Sequence, residues 1–318
     1  MKVVWFLLTL LLMFTVRGNA QTPKTAEDYN NRGLERQAKG DIDGAIQDYT
    51  QAISMKAKAS TIATAYNNRA NARMGKGEFE GAAADYSKAI ELQPSDEENY
   101  YNRGVALQAK GDNDAAIADF TKAIQMSPRL AQAYNNRANA RKAKGDVDGA
   151  IADYDKAIEV KPKYAEAYYN RGASRQDKKD FDGAIKDYST ALDLAPQFTD
   201  ALVNRGQAKQ SKRDLDGAIA DYDAALALKT EDATIYFGRA SAREEKKDLN
   251  GALADYSRVI ELDPANAQAL AHRAVIETLQ GKTSQADQDF DKAFKIDPSL
   301  KAQFKDFINN RRSRRPLL

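Results

Sequence analysis

Along this chain, small and apolar residues recur at spacings of three and four, and the stripes they form come in pairs separated by a short polar break. In one such pair, Tyr100, Gly104 and Leu107 make the first stripe and Ala116, Phe120 and Ala123 the second. Spacing of this kind predicts two amphipathic helices, each with one buried face. Between them, Gly111 supplies the left-handed conformation that ends a helix. Asp112 stands where a carboxylate caps the next one. Pro128 closes the pair. The segment from Glu97 to Pro128 therefore reads as a helical hairpin.

That hairpin is written eight times. Its leading residues are Tyr29, Tyr66, Tyr100, Tyr134, Tyr168, Leu202, Tyr236 and Leu270, so the first step is 37 residues and the other six are 34. A fixed period of this length marks two-helix repeat units, which cannot bury their apolar faces alone and stack into a continuous core. An all-α solenoid is the expected fold class.

The small residues Gly104, Ala116 and Ala123, the aromatic Phe120 and the closing Pro128 together resemble the motif of the tetratricopeptide repeat family. The resemblance runs from about Ala26 to Pro298. It implies a right-handed superhelix of eight hairpins over residues 26–59, 63–96, 97–130, 131–164, 165–198, 199–232, 233–266 and 267–298. A capping helix over 299–310 and a basic tail over 311–318 would follow. It also implies a concave groove, lined by the first helices, that holds a protein or peptide partner. Two departures stand out. The first linker, around Lys56 to Ile62, has three extra residues and no proline, and Thr230 replaces another expected proline.

The first twenty residues differ from the rest. Lys2 opens a basic start, Val3 to Val16 is apolar apart from Thr9 and Thr15, and Arg17-Gly18-Asn19-Ala20 ends in small residues. This is the layout of a secretory signal peptide over 1–20, with a short linker over 21–25. The rival reading is an uncleaved anchor. An apolar helix of that length spans about 21 Å, short of a ~30 Å hydrocarbon core, which favours cleavage before Gln21 and no stable membrane span afterwards. Losing Lys2 and Arg17 from 48 basic residues leaves a balance of 46 against 46 acidic ones. A neutral chain argues against nucleic acid as partner. The chain has no cysteine, so a secreted form must draw its stability from the stacked core rather than from disulfides. The location expected is periplasmic or secreted.

One feature departs from the usual repeat pattern everywhere. Three residues after each leading position comes an arginine, and just before each second-helix aromatic comes an aspartate. The pairs are Arg32 and Asp48, Arg69 and Asp85, Arg103 and Asp119, Arg137 and Asp153, Arg171 and Asp187, Arg205 and Asp221, Arg239 and Asp255, and Arg273 and Asp289. Members of a pair lie equidistant from the turn, so an antiparallel hairpin sets them at one height. An unpaired charge on a half-buried face costs about 3–5 kcal/mol, which a bidentate arginine–carboxylate contact avoids. A structural ion-pair ladder is the expected role, against the rival of an arginine ladder for nucleic acid or acidic peptide.

Two residues after the leading position stand Asn31, Asn68, Asn102, Asn136, Asn170 and Asn204, after which the column changes to Gly238 and His272. This column resembles the asparagine ladder of the O-GlcNAc transferase superhelix, which grips the backbone of extended peptides. A side-chain amide both donates and accepts, so it matches a peptide unit without reading its sequence. The alternative is that these amides bond across repeats and shape the stack. Beside them, Tyr101, Tyr169 and Phe237 would add apolar specificity to the same groove.

Catalysis needs a positioned nucleophile, an acid–base pair, a metal or a phosphate loop. With one histidine, His272, and no cysteine, His/Cys zinc sites and Cys–His dyads are excluded. The recurring Asp-x-Asp-Gly, as at Asp41 to Gly44 and Asp146 to Gly149, is half a calcium loop without its closing glutamate, and helix capping accounts for it. No cofactor, metal or enzymatic activity is expected. The chain reads as a scaffold or adaptor holding an extended peptide or a partner helix. The alternative is an architectural subunit of an envelope complex, docking through its convex face or C-terminal end.

Overall fold

The structure, a computed structural model, describes residues 23–313. The expected signal segment 1–20 and the tail from residue 314 onward lie outside the described residues. Those described are helices and turns, with no strand among them. They divide between Lys122 and Ala123, inside one helix, into two compact units.

The first unit holds the hairpins α1 (Ala26–Ala38) with α2 (Ile42–Ser54) and α3 (Ala59–Gly75) with α4 (Phe79–Leu92), then α5 (Glu97–Lys110) and the start of α6 (Asn113–Met126). The second holds α7 (Ala131–Ala143) with α8 (Val147–Val160), α9 (Ala165–Asp177) with α10 (Phe181–Leu194), and α11 (Thr199–Ser211) with α12 (Leu215–Leu228). It continues with α13 (Ala233–Lys246) and α14 (Leu249–Leu262), then α15 (Ala267–Leu279) and α16 (Thr283–Ile296). Two short helices, α17 (Leu300–Gln303) and α18 (Lys305–Ser313), end the description.

Turn chemistry sets the hairpins. Asp41, Asp146, Asp180, Asp214 and Asp248 each cap a second helix, their Oδ1 accepting from the backbone N–H three residues on at 2.9–3.0 Å. The acceptor carboxylate lies so close that a Cβ on Gly183 would stand 2.2 Å from Asp180 Oδ2. Capping therefore explains the aspartate–glycine pairs. The residue before the cap takes a left-handed conformation. It is glycine at positions 40, 77, 111, 145 and 281, but Lys179, Arg213 and Lys247 adopt φ values of 63°, 64° and 71° in its place.

Alanines and one large aromatic per hairpin fill the core. Tyr49, Tyr86, Phe120, Tyr154, Tyr188, Tyr222, Tyr256 and Phe290 are all buried. Close approach of the first helix to that ring demands a small residue: a Cβ on Gly33 would meet Tyr49 Cε1 at 2.5 Å. Burying a phenol without a partner would cost about 1–3 kcal/mol, and the structure provides one. Tyr49 and Tyr188 donate to Gln37 and Gln176 at 2.9 and 3.0 Å, Tyr86 and Tyr154 to Asn71 and Asn139 at 2.5 Å, and Tyr256 to Glu244 at 2.8 Å. Burial, then the neighbouring Asp48 carboxylate, pushes the Tyr49 phenol up to about 12, so it stays a donor at any physiological pH.

Three expectations change in detail. The extra residues near Lys56 to Ile62 do not lengthen the linker alone; Ala59 onward joins α3, which runs 17 residues. At Thr230, the missing proline is replaced by a cap: Asp232 accepts from the N–H groups of Thr234 and Ile235 and pairs with Lys229. The segment after Pro298 is two helices rather than one, broken at Phe304, whose buried ring joins Leu270, Phe290 and Leu300 in the last core cluster.

Candidate functional site

Within each unit, every second helix packs between its own first helix and the next. First helices also touch one another directly, α1 against α3 in the first unit, and α7, α9, α11 and α13 in succession in the second. Second helices approach one another less closely, so the first-helix face is the inner one in each unit.

The arginines do not line that face as free charges. In all eight hairpins, arginine Nε donates to aspartate Oδ2 at 2.6–2.9 Å and Nη2 to Oδ1 at 2.5–3.0 Å. The aspartates are buried. The third guanidinium nitrogen reaches back one repeat, from Arg69 to Thr50, Arg103 to Ser87, Arg205 to Ser189 and Arg273 to Ser257 at 2.9–3.2 Å, and from Arg171 to Asp155 and Arg239 to Asp223 at 2.5 Å. Six of the arginines also lie 5.3–5.8 Å from the ring of their leading tyrosine. Burial opposes the charge on Arg171, but its bonds to Asp187 and Asp155 outweigh that and raise its affinity for the proton. Each guanidinium thus locks its own hairpin, and Arg69, Arg103, Arg171, Arg205, Arg239 and Arg273 also bind to the hairpin before their own. That geometry is structural and leaves little of the fork for nucleic acid.

A second cation shares most of these aspartates, and sequence reasoning missed it. Seven residues after the leading position, Arg36, Arg73, Arg141, Arg175, Lys209 and Arg243 approach the same carboxylate at 2.6–3.2 Å. The signal was present, because each of these cations faces a glycine eight residues on. Arg36, Arg73 and Arg141 donate to that glycine's carbonyl at 3.0–3.2 Å, and a Cβ on Gly183 or Gly251 would meet the Arg175 or Arg243 Cδ at 2.9 and 3.0 Å. The column breaks twice, at Leu107 with Ala115 and at Glu277 with Gln285.

The asparagine column lies on the first-helix face, with Asn31 exposed and Asn68, Asn102, Asn136, Asn170 and Asn204 half-buried. The amides of Asn68, Asn136, Asn170 and Asn204 take part in bonds inside their own unit. Asn68 Nδ2 donates to Asn30 Oδ1 at 2.9 Å, Asn170 to Asn135 at 3.1 Å, and Asn204 to the Tyr169 hydroxyl at 3.0 Å. Asn136 Oδ1 accepts from Asn135 at 3.3 Å. The aromatic candidates pack inward beside them: Tyr101 on Phe120, Tyr169 on Tyr188 and Phe198, and Phe237 on Tyr256, with centroids 4.7–5.9 Å apart.

At the end of the column, His272 Nδ1 lies 3.0 Å from Glu244 Oε2, which also accepts from Tyr256. The imidazole stacks on Tyr256 and meets Phe237 and Phe304 edge-on. This is a packed joint between the last repeats and the cap. Among the described residues, no group of three or more His, Cys, Asp or Glu side chains could hold a metal ion, and no helix is long and apolar enough to cross a membrane.

Profiles of known families find the same periodicity. Those described as tetratricopeptide repeat match residues 27–58, 98–130, 165–198 and 203–267, and one described as TPR repeat matches 70–111 and 138–179, together well over half the chain. The chain belongs to the tetratricopeptide repeat family. Solved tetratricopeptide structures share its fold. The C-terminal part of a repeat protein from Cytophaga hutchinsonii matches at 18% identity and a TM-score of 0.62, covering 76% of this chain and 98% of its own. A repeat protein from Parabacteroides merdae matches at 15% and 0.60, covering 79% and 98%. YrrB, described as a TPR protein with an unusual peptide-binding site, matches at 22% and 0.53, covering 59% and 97%. A search of curated protein sequences found no match. The family is one of protein-interaction scaffolds, typically non-enzymatic adaptors.

Proposed function

We propose that this protein is a non-enzymatic scaffold that holds an extended peptide, or a partner helix, on the inner face formed by its first helices. The observation that carries the reading is the state of the ladder amides. Asn68, Asn170 and Asn204 each donate one N–H to the preceding repeat, the bonding that a stack-shaping role also expects; each bond fixes the amide plane, and the carbonyl oxygen is left to accept from a ligand. Within a unit, as at Asn170 and Asn204 of the second, such pre-oriented acceptors suit the N–H groups of an extended chain, and pre-orientation lowers the entropy cost of binding. Tyr101, Tyr169 and Phe237 supply half-buried rings beside that row for apolar side chains. YrrB, whose description names a peptide-binding site, shares the fold and lends the reading a precedent.

We further propose export through the signal-like segment 1–20, supported by its basic, apolar and small-residue layout; a mature chain beginning at Gln21 on N-terminal sequencing is the expected result. The binding reading is tested by crosslinking from the native compartment, comparing the protein with a variant carrying alanine at Asn68, Asn102, Asn136 and Asn170. After both are shown to fold alike, partners lost with the asparagines support it. Partners retained in full shift the working surface to the second-helix face or the C-terminal end.

A further inference from the structure

The third hairpin lacks a cation that six of its sisters carry. Where Arg36, Arg73, Arg141, Arg175, Lys209 and Arg243 each bring a positive group to the buried aspartate, the third hairpin has Leu107, and the glycine that makes room for the cation is Ala115. Asp119 is still 94% buried by residue and paired with Arg103, but its Oδ2 accepts from that one side chain alone. In the preceding hairpin, Asp85 Oδ2 accepts from Arg69 at 2.9 Å and from Arg73 at 2.6 Å.

An open cleft of about 480 Å³ lies at this place, between α4, α5 and α6 and wholly inside the first unit. Its size falls within the range of about 300–1,000 Å³ common for ligand pockets. Ala83, Ala84, Leu107, Ala115 and Ala118 supply apolar wall, Ser87 and Arg103 line it beside them, and the buried Asp119 forms part of the lining. At the mouth, Lys110 and Glu80 neutralise each other at 3.0 Å. The cleft therefore offers an aliphatic channel leading to a buried carboxylate with unused acceptor capacity. In the second hairpin Arg69, Arg73 and Lys76 face Asp85, Glu78 and Asp43, whereas at the same registers the third has only Arg103 and Lys110 for Asp119, Asp112 and Glu80.

We propose that this cleft is a docking site for an arginine side chain presented by a partner protein, whose guanidinium takes the place of the missing cation on Asp119. The aliphatic stem of arginine matches the alanine and leucine walls, and its planar fork matches the carboxylate. The sister hairpins provide the template for the bound state: Arg73 Nη1 reaches Asp85 Oδ2 at 2.6 Å and the Gly81 carbonyl at 3.2 Å together. In the third hairpin, the Ala115 carbonyl occupies the register of Gly81. The site is independent of the peptide-binding reading of the first-helix face.

The test uses the mature protein with labelled alanine and leucine methyls, titrated with acetyl-arginine N-methylamide and, separately, with its neutral isostere acetyl-citrulline N-methylamide. The expected result is saturable shifts at Leu107, Ala83 and Ala118 with the arginine probe, and binding weaker by about tenfold or more with citrulline, the loss of one charge-assisted contact. The variant Leu107→Arg with Ala115→Gly rebuilds the sister arrangement inside the chain and should abolish the shifts at Ala83 and Ala118 while keeping the rest of the spectrum. Equal response to both probes, shifts that never saturate, or shifts that persist in the rebuilt variant would overturn the proposal. The comparison of probes on the unaltered protein decides the matter even if the variant fails to fold.

Discussion

Asp187 is 2% exposed and accepts from Arg171 through both oxygens and from Arg175 at 2.8 Å. Replacing it with leucine takes the buried carboxylate from two half-buried guanidinium groups at once, leaving Arg171 only Asp155, whereas Arg171→Leu leaves the carboxylate still paired with Arg175. Asp187→Leu should therefore cost about 3–5 kcal/mol and Arg171→Leu distinctly less, measured by urea unfolding monitored by circular dichroism. Equal losses would show that the second cation contributes nothing. Glu277 is the inverse case. It stands where six repeats have a cation, and its Oε2 is buried without a partner. Burial first, and the Asp289 carboxylate next, raise its pKa, while Arg273 and Lys282 act in the opposite direction. A raised folded value means the fold favours the neutral acid. Its stabilising contribution is complete below the ordinary value of 4.5 and is lost as pH rises through the raised one. Amide hydrogen exchange in α15 and α16, corrected for the intrinsic rate, should slow as pH falls from neutral to below 4.5, and Glu277→Gln should flatten that change. The sequence made the first ion pair legible, because arginine and aspartate keep one spacing in every repeat. It hid the second because that column mixes arginine, lysine, leucine and glutamate, and because its meaning depends on a glycine in the facing helix.

At the scale of the helix and the turn, the period did most of the work. Eight hairpins follow from eight copies, since stripes at helical spacing, aspartate caps and left-handed turns agree in each copy. Misjudged details came where two local solutions compete. Ala59 to Ile62 carry residues that suit either linker or helix, and the helix won because Ala63 and Ala65 bury against neighbours once the first turn forms. Phe304 breaks the cap because its ring is drawn into the terminal core, a tertiary effect no local pattern carries. The turns yield a direct prediction. Lys247 holds φ at 71°, where glycine serves in five other hairpins. A side chain in that conformation costs about 1–2 kcal/mol, so Lys247→Gly should raise Tm, to the extent that the added chain freedom of glycine in the unfolded state does not offset it. A lowered Tm would mean that the lysine makes contacts worth more than the strain.

For the whole molecule, the repeat takes up nearly every described residue, and the family it belongs to is one of protein-interaction scaffolds. The inner face was legible as a column of asparagines, but its cross-repeat bonds were not, since they join residues 35 and 38 apart in the chain. The surface proposed to meet the partner is the first-helix face. It is tested most directly by placing a photo-crosslinking amino acid at Asn31, Tyr101 or Tyr169 on that face, and at Lys88, Lys156 or Lys186 on exposed positions of second helices, in cells that make the protein. The account predicts adducts of one size from the first-helix positions that disappear when Asn68 and Asn170 are changed to alanine. Adducts formed only from the second-helix positions, and indifferent to the asparagines, would contradict it.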